Sequence, residues 1–329
     1  MAGSGKAHLR NSEEIILRVE DLTMEFPAGG KNFVRAVSGI SFDIERGETL
    51  AIVGESGCGK STLGKAILQL PKPTSGSVNF QGQELTSLSK DALRDVRPAM
   101  QMIFQDPVSS LDPRLTVAKI VDEPLKIWER GDELWRSKKV DELLNAVGLD
   151  PALVRDRRSY EFSGGQCQRI SIARSLALEP LLLICDEPVS ALDVSVQAQI
   201  LNLLQDMKER YGLTLIFISH DLAVVKAVST RIMVMYLGKV CEISSPDELY
   251  SNPRHHYTHA LVSSVPVPDP TVAARGTALQ GEPPSPMDPP SGCRFRTRCP
   301  AATDLCAQEE PQLREVSAGH FVACHFPRN

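Results

Sequence analysis

The sequence contains three short runs of apolar residues, and each run is followed by polar or charged residues or by glycine. They are residues 49–55 (TLAIVGE), 181–187 (LLLICDE) and 214–220 (TLIFISH). Runs of this length without alternation are typical of strands that are buried on both faces of a parallel sheet. Between the last two runs, apolar residues recur at helical spacing at Val196, Ile200, Leu203, Leu204 and Met207. Strands that alternate with such helices predict an α/β fold with a parallel sheet.

The two ends of the chain depart from this pattern. Residues 1–14 have no apolar periodicity, and we predict a disordered leader. Residues 15–26 (IILRVEDLTMEF) alternate loosely, which predicts an edge strand. Residues 263–291 are rich in proline and predict a linker, and residues 292–329 form a short C-terminal extension.

Composition and net charge limit the classes of function that the chain can have. The chain has 329 residues, 42% hydrophobic and 23% charged, as in ordinary globular proteins. Its net charge of −5 argues against a dedicated nucleic-acid binder. The first residues lack the apolar core of a secretory signal, and no apolar run reaches the roughly 18 residues of a membrane span. We therefore expect the chain to be made in the cytosol and to stay there.

Residues 54–61, GESGCGKS, match the phosphate-loop pattern G-x-x-x-x-G-K-[ST] directly after a predicted strand. Small residues let backbone N–H groups converge on phosphate oxygens, and the following helix adds its positive end. Lys60 is expected to reach the β and γ phosphates, and the Ser61 hydroxyl to ligate Mg²⁺. The residues predicted to bind ATP here are Gly54, Glu55, Ser56, Gly57, Cys58, Gly59, Lys60, Ser61 and Thr62.

The second apolar run ends in two carboxylates, Asp186 and Glu187. In combination with a phosphate loop, this arrangement predicts that Asp186 holds Mg²⁺ through water. Glu187 is then placed to polarise the attacking water as a general base. The sequence thus predicts an enzyme that hydrolyses ATP.

Four further motifs distinguish between families of phosphate-loop ATPases. They are FSGGQCQR at 162–169, FQDP at 104–107, SALD at 190–193 and His220 after the third apolar run. With the phosphate loop, they make the chain resemble the ATP-binding cassette of ABC transporters. The resemblance implies a P-loop NTPase cassette over residues 15–262, with a parallel sheet core and an N-terminal antiparallel β part. It also implies a helical subdomain, at about residues 107–160, that docks on a transmembrane partner.

The resemblance also implies roles for individual residues. Gln105 would contact Mg²⁺ and the attacking water, and His220 would hydrogen-bond the γ-phosphate. Two cassettes would face head to tail, each closing over the ATP of the other. The residues implied in this second contact are Ser163, Gly164, Gly165, Gln166 and Asp193. Phe26 is the preferred residue to stack on adenine, with Phe33 as its rival.

Within the ABC transporters, the sequence resembles the ATPases of dipeptide and oligopeptide importers, including their nickel-uptake relatives. The similar segments are GESGCGKSTLG, QMIFQDPVSSLDPRLTV and PDELYSNPRHHYTHALVSSVP. This resemblance implies peptide import, with a second ATPase subunit (a paralogue or a copy), two transmembrane permeases and an extracytoplasmic substrate-binding protein as partners. The chain would lie on the cytoplasmic side of the cell membrane. Open alternatives are nickel or another small solute as cargo, a cassette that binds ATP without turnover, and a soluble ABC ATPase acting on nucleic acid.

Half of the eight cysteines lie in the C-terminal extension, spaced C-x5-C-x6-C, with seventeen residues between the third and the last. They are Cys293, Cys299, Cys306 and Cys324. Disulfides are rare in the cytosol, and structural zinc prefers closer cysteine pairs. Four loosely spaced thiolates and the pair Cys299–Pro300 favour a [4Fe–4S] cluster, which the resemblance to peptide importers also implies. Zinc and unliganded thiols remain alternatives.

Overall fold

The computed structural model describes residues 5–30, 32–265 and 281–329. These residues fall into two compact units. The first unit comprises Met1–Leu88 and Phe217–Asn329, and the second comprises Ser89–Ile216. Most of the predicted Pro-rich linker, residues 266–280, lies outside the described residues, as do the first four residues of the predicted leader.

The first unit contains most of the strands and the C-terminal extension. Its strands are β1 (Ile15–Pro27), β2 (Phe33–Glu45), β3 (Thr49–Val53), β4 (Ser75–Phe80), β5 (Gln83–Glu84), β9 (Arg231–Tyr236), β10 (Lys239–Ser244), β11 (Arg314–Ser317) and β12 (His320–Val322). Its helices are α1 (Lys60–Ile67), α8 (Leu222–Val228), α9 (Pro246–Ser251), α10 (His256–Ser263) and α11 (Asp304–Gln308), and a 3₁₀ turn spans Leu85–Ser87.

The second unit is mainly helical. It contains α2 (Lys90–Val96), β6 (Met100–Ile103), α3 (Val117–Ile127), α4 (Glu133–Ala146), α5 (Pro151–Val154), α6 (Gly164–Leu176), β7 (Leu182–Asp186) and α7 (Val194–Tyr211), with 3₁₀ turns at Arg97–Ala99 and Ser159–Glu161. The strand β8 (Thr214–Ser219) spans the boundary and returns the chain to the first unit.

An antiparallel sheet with the order β2-β1-β4-β5 forms the N-terminal part of the first unit. β1 pairs with β2 on one side and with β4 on the other, so the prediction of an edge strand is wrong. Its loose alternation arises from bulges in both pairings, which shift the side chains between the two faces. In the other sheet of this unit, β3 runs parallel to β9, and all five of its residues are buried.

The second unit pairs β6 with β7 in parallel. Every residue of β7 is buried, as its unbroken apolar run predicts. Helices α3, α4 and α5 occupy the range in which the helical subdomain is expected. The predicted amphipathic face of α7 is buried at Ile200, Leu203, Leu204 and Met207, while Val196 is partly exposed, and the helix is followed by Gly212 in the left-handed conformation.

The C-terminal extension adds a short hairpin to the first unit. β11 pairs with β12, and β12 pairs with β10 through Glu242 and Val322. His320 Nε2 lies 2.6 Å from Glu242 Oε1, and neither side chain is exposed to solvent. Glu242 also accepts hydrogen bonds from the backbone N–H groups of Arg254 and His255. The extension is thus fixed to the strand that precedes it by a fully buried polar contact.

The leader is ordered over residues 5–14, so the prediction of disorder is wrong for this part. His8 is buried and its ring contacts the Ser41 carbonyl oxygen at 2.6 Å. Arg10 donates to Asp43 at 2.7 Å, to Glu45 at 2.9 Å and to Glu48 at 2.6 Å. The leader has no apolar periodicity because ion pairs, rather than an apolar face, hold it in place.

In the described part of the chain, no helix combines the length and the apolar character needed to cross a membrane.

The Arg10 contacts predict a measurable effect on stability. The Asp43 side chain is fully buried, and Arg10 shares it with Arg231. We expect Arg10→Ala to lower the free energy of unfolding by about 1–3 kcal/mol, because a buried carboxylate loses one of its two cationic partners. Chemical denaturation of both proteins measures this difference.

The matched control is Arg114→Ala, which removes a highly exposed pair with Asp112 and should leave stability unchanged. Equal stability of the Arg10 variant and the unmodified protein would contradict a structural role for the leader.

Candidate functional site: a phosphate loop and a carboxylate pair

The phosphate loop connects β3 to α1 in the first unit. Gly54 has φ +154° and Gly59 has φ +102°. A Cβ atom on Gly54 would lie 2.1 Å from the Met235 carbonyl oxygen, and one on Gly59 would lie 2.0 Å from that of Ala36. Both positions therefore require glycine, for conformation and for space.

Lys60, the first residue of α1, folds back over the loop. Its Nζ donates to the carbonyl oxygens of Gly54 at 2.8 Å and of Glu55 at 3.0 Å, and the residue is buried. Ser61 and Thr62 follow in the first turn of the helix, and Ser56 and Gly57 are exposed at the outside of the loop. The loop thus places a cation and the start of a helix together, which suits a bound polyphosphate.

Cys58 brings a thiol side chain into the phosphate loop. It is buried, and burial raises the pKa of its thiol above the ordinary value. The side chain is therefore neutral and acts as a small apolar residue beneath the loop.

The C-terminal part of the chain borders the same loop. A cavity of about 510 Å³ lies between the phosphate loop, the end of β9 and the proline-rich segment 282–286. The backbone N–H of Arg35 also donates to the Pro286 carbonyl oxygen at 3.0 Å. Residues after the cassette motifs therefore reach the phosphate loop, which the sequence did not predict.

The other expected nucleotide contacts of this unit lie on β1 and after β8. Phe26 pairs with Val34, and Pro27 pairs with Phe33, so both aromatic residues lie at the same end of the β1–β2 hairpin. They are 37% and 45% exposed, respectively, so either ring is accessible. His220 directly follows β8 and is exposed.

In the second unit, the structure brings together two of the three residues predicted to be catalytic. Asp186 ends β7 and is buried, and Glu187 follows in the left-handed region with φ +47°. Gln105 lies just after β6 and donates from Nε2 to Glu187 Oε2 at 3.0 Å. β6 and β7 are parallel neighbours, so their carboxyl ends meet at one edge of the sheet. The sequence predicted each residue but not this direct hydrogen bond.

The SGGQ motif forms the N-terminus of α6. Ser163 caps the helix, and its side chain and that of Gln166 exchange hydrogen bonds with each other's backbone N–H groups. A Cβ atom on Gly165 would lie 2.6 Å from a methyl group of Val196 in α7, so the glycine permits close packing of the two helices. Asp193 is exposed at the N-cap of α7. The residues predicted to contact the partner's ATP thus occur at the starts of two packed helices.

The four cysteines of the extension meet at one place. Cys293, Cys299, Cys306 and Cys324 line a single cavity, together with Phe295 and other residues of the first unit. All four are free thiols, two of them buried and two half-buried. Burial raises the pKa of Cys324 to about 11 and that of Cys293 above its usual value.

Within residues 5–30, 32–265 and 281–329, no group of three or more His, Cys, Asp or Glu side chains has the arrangement of a metal site. The four thiols of the extension nevertheless line the same cavity. The remaining cysteines, Cys58, Cys167, Cys185 and Cys241, are buried.

Comparisons with known proteins agree with this geometry. The family model described as ABC transporter matches residues 37–190, and the one described as oligopeptide/dipeptide transporter, C-terminal region, matches residues 241–306. The oligopeptide transport ATP-binding protein AppF of Bacillus subtilis (strain 168) is 50% identical over 324 residues, which cover 96% of this chain and 98% of AppF.

Two solved structures show the same fold. One is a dimeric ATP-binding cassette in a post-hydrolysis state with ADP and phosphate. It matches with a TM-score of 0.64 and 30% sequence identity, and the match covers 70% of this chain and 98% of that cassette. The other is CbiO1 from Clostridium perfringens, part of the ABC transporter complex CbiONQ, with a TM-score of 0.64 and 31% identity over 73% of this chain and 92% of that one.

Fold and motifs together define a P-loop ATPase of the ABC cassette type, which confirms the predicted fold class. The chain belongs to the family of ABC transporter ATP-binding proteins, and within it to the relatives of oligopeptide transport ATPases.

The two phenylalanines of the β1–β2 hairpin can be separated by experiment. We expect Phe26→Ala to weaken ATP binding about tenfold, because one base–aromatic stacking contact contributes roughly 1–3 kcal/mol. Titration of the purified protein with a fluorescent ATP analogue measures the dissociation constant. The matched variant Phe33→Ala should leave it within about twofold. The reverse result would assign adenine stacking to Phe33.

Proposed function

We propose that the chain is the ATP-hydrolysing subunit that powers peptide import across the cytoplasmic membrane. The observation that carries this proposal is the presence, in one chain, of the cassette motifs and a C-terminal region that matches the oligopeptide/dipeptide transporter model over residues 241–306. AppF, which is half identical to this chain over nearly its whole length, is named for oligopeptide transport.

The residues of the first unit bind the nucleotide in this proposal. The adenine stacks on Phe26, and backbone N–H groups of the loop from Gly54 to Thr62 hold the phosphates. Lys60 exchanges its two carbonyl contacts for the β and γ phosphates, and His220 hydrogen-bonds the γ-phosphate. The glycines at both ends of the loop support this role, because they free backbone N–H groups to converge.

The carboxylate pair of the second unit supplies the hydrolytic chemistry. Mg²⁺, when bound, neutralises charge that develops on the phosphates, and Ser61, Gln105 and Asp186 are the residues that would hold it. Glu187 takes the proton of the attacking water as general base. The hydrogen bond from Gln105 to Glu187 supports this assignment, because it orients the carboxylate.

A second ATPase subunit, a paralogue or a copy, completes the site. Ser163, the amides of Gly164 and Gly165, Gln166 and Asp193 would bind the ATP held by that partner. The capped N-terminus of α6 supports this role, since its amides attract an anion. A related cassette structure is described as a dimer.

Two transmembrane permeases and an extracytoplasmic substrate-binding protein complete the proposed transporter, which places this chain on the cytoplasmic face of the cell membrane. Exposed apolar side chains of α4 and α5 support docking of the helical subdomain on the permeases. They are Leu134, Trp135 and Leu153, at 66%, 46% and 69% exposure. Closure of the two cassettes on ATP would then be transmitted to the permeases, and hydrolysis would reset them.

The cysteine site is part of this proposal. Cys293, Cys299, Cys306 and Cys324 would hold a [4Fe–4S] cluster, with zinc as the alternative. The lining of one cavity by all four thiols supports a shared group. Arg296 lines the same cavity and offsets the negative charge of a thiolate-bound cluster. A structural role suits the position of the site in a small segment with little apolar core of its own.

Transport by the reconstituted assembly tests the proposed function. The chain is co-purified with its permeases and ATPase partner in proteoliposomes, and uptake of a labelled oligopeptide is measured with the binding protein present. We expect ATP-dependent uptake that Glu187→Gln lowers at least 100-fold, because the general base is lost while ATP still binds. The control Glu209→Gln changes an exposed carboxylate of α7 and should transport normally.

Uptake of Ni²⁺ without uptake of peptide would reassign the cargo while keeping the ATPase. Hydrolysis that persists in the Glu187→Gln assembly would contradict the catalytic assignment.

Metal content tests the cysteine site. We expect anaerobically purified protein to show a broad absorption band near about 400 nm and about four iron atoms per chain. Cys324→Ser should lose most of the iron, because a thiolate ligand is removed. Cys167→Ser is the matched control: this buried cysteine of the second unit donates to the Ser159 carbonyl oxygen, which serine can also do. Zinc in place of iron would favour the alternative, and protein without metal would contradict both.

A further inference from the structure

Glu55, the second residue of the phosphate loop, is held at both its side chain and its backbone by the C-terminal part of the chain. Its carboxylate accepts two hydrogen bonds from Arg298, at 2.6 Å from Nη1 to Oε2 and at 3.0 Å from Nη2 to Oε1. Its backbone N–H donates to the Tyr257 hydroxyl at 2.8 Å. Its carbonyl oxygen accepts from Lys60 Nζ. The extension and α10 therefore hold the residue whose carbonyl oxygen accepts a hydrogen bond from Lys60.

Arg298 is itself rigidly placed. Its side chain is 4% exposed, and its guanidinium lies 5.8 Å from the ring centre of Tyr236 and 3.3 Å from the Tyr236 hydroxyl. Its backbone N–H donates to the Phe295 carbonyl oxygen, and Phe295 packs edge-on against Tyr236 with ring centres 5.2 Å apart. The planar fork of arginine meets the carboxylate in a bidentate pair, which fixes orientation as well as charge.

The same segment carries the cysteine site. Arg298 directly precedes Cys299, and the backbone N–H of Cys299 donates to the Arg296 carbonyl oxygen. Phe295, which contacts Tyr236 and Tyr257, lines the four-cysteine cavity. One short stretch, residues 293–299, thus joins the thiols on one side to the phosphate loop on the other.

The contact between Arg298 and Glu55 changes the net charge at the phosphate loop. A carboxylate in a loop that binds a triphosphate repels it, and the repulsion is strong because Glu55 is only partly exposed. Paired with Arg298, the Glu55 carboxylate contributes almost no net charge at the loop. The hydrogen bonds with Glu55 raise the pKa of Arg298, so the guanidinium stays charged at physiological pH.

We propose that Arg298 is a positioning residue for ATP: from the C-terminal extension, it neutralises Glu55 and holds the start of the phosphate loop in its binding conformation. The extension is then needed for full affinity for ATP as well as for its own metal site. The proposal rests on ATP binding at this loop, and the experiment separates failure of that premise from failure of the proposal.

The test is a double-mutant cycle that removes the charges of Arg298 and Glu55 in the whole chain. The dissociation constant for Mg-ATP is measured by calorimetry for the unmodified chain, Arg298→Gln, Glu55→Gln and the double variant. We expect Arg298→Gln to bind about five- to tenfold more weakly, because Glu55 is left as an unpaired anion. The double variant should bind more tightly than Arg298→Gln and about as tightly as Glu55→Gln, because neither of these two proteins carries an unpaired Glu55 carboxylate.

The dependence of ATP affinity on ionic strength provides a second test. The defect of Arg298→Gln should shrink between about 0.05 and about 0.5 M NaCl, because salt screens the repulsion. A double variant as weak as Arg298→Gln, with a defect that does not respond to salt, would show only loss of structure and would overturn the proposal.

Two further variants complete the design. Arg314→Gln is the matched control within the extension, since Arg314 donates to the carbonyl oxygens of Cys324 and His325 and makes no contact with the loop among its described hydrogen bonds. We expect its ATP affinity to be unchanged, and a defect equal to that of Arg298→Gln would overturn the proposal.

Lys60→Ala should abolish binding. If Arg298→Gln binds normally while Lys60→Ala does not bind, the proposal fails and the ATP site stands. If Lys60→Ala binds as well as the unmodified chain, the proposed ATP site fails and the proposal with it.

Discussion

The backbone of the phosphate loop has to pass two other strands within van der Waals contact, and the rest of the site depends on this constraint. Gly54 meets the Met235 carbonyl at the end of β9, and Gly59 meets the Ala36 carbonyl of β2. A side chain at either position would overlap a backbone atom, which cannot move without displacing a strand. This tight path places Lys60 at the start of α1 and points its ammonium group back at the loop carbonyls. Lys60 Nζ therefore has two neutral backbone acceptors, which are weaker hydrogen-bond partners than charged oxygens.

The C-terminal extension is fixed to the cassette, including the phosphate loop, by charged and polar contacts rather than by steric fit. The buried contact between His320 and Glu242 fixes the extension to β10, and the bidentate pair of Arg298 with Glu55 fixes it to the loop. A segment with so few apolar residues obtains its order from polar contacts with the cassette. Any group bound by the cysteines therefore adds to the rigidity of the stretch that carries Arg298.

Local motifs were predictable from the sequence, and contacts between distant residues were not. The phosphate loop, β7 with its two carboxylates and the SGGQ cap each depend on neighbouring residues, so their pattern is visible in a few letters. The order of the leader depends on Arg10 meeting Asp43 and Glu48, and the pairing of Arg298 with Glu55 joins residues 243 positions apart. No periodicity encodes such ion pairs, because a single charged residue in a polar segment looks the same whether it is solvated or paired. The cysteines are an intermediate case: their number indicated a shared site, and only the fold shows that all four line one cavity.

The backbone conformation of Glu187 is strained, and it helps to set the direction of the carboxylate. A non-glycine residue with φ +47° is held in a backbone conformation that is less stable by roughly 1–2 kcal/mol than the usual regions. The buried end of β7 and the hydrogen bond from Gln105 hold it there, so the sheet edge sets the direction of the carboxylate before any substrate arrives. Gln105 lies in the chain just before the helical subdomain, at 107–160, that is expected to dock on the permeases. Gln105 thus joins the chain segment that leads into this subdomain to the Glu187 carboxylate through one hydrogen bond.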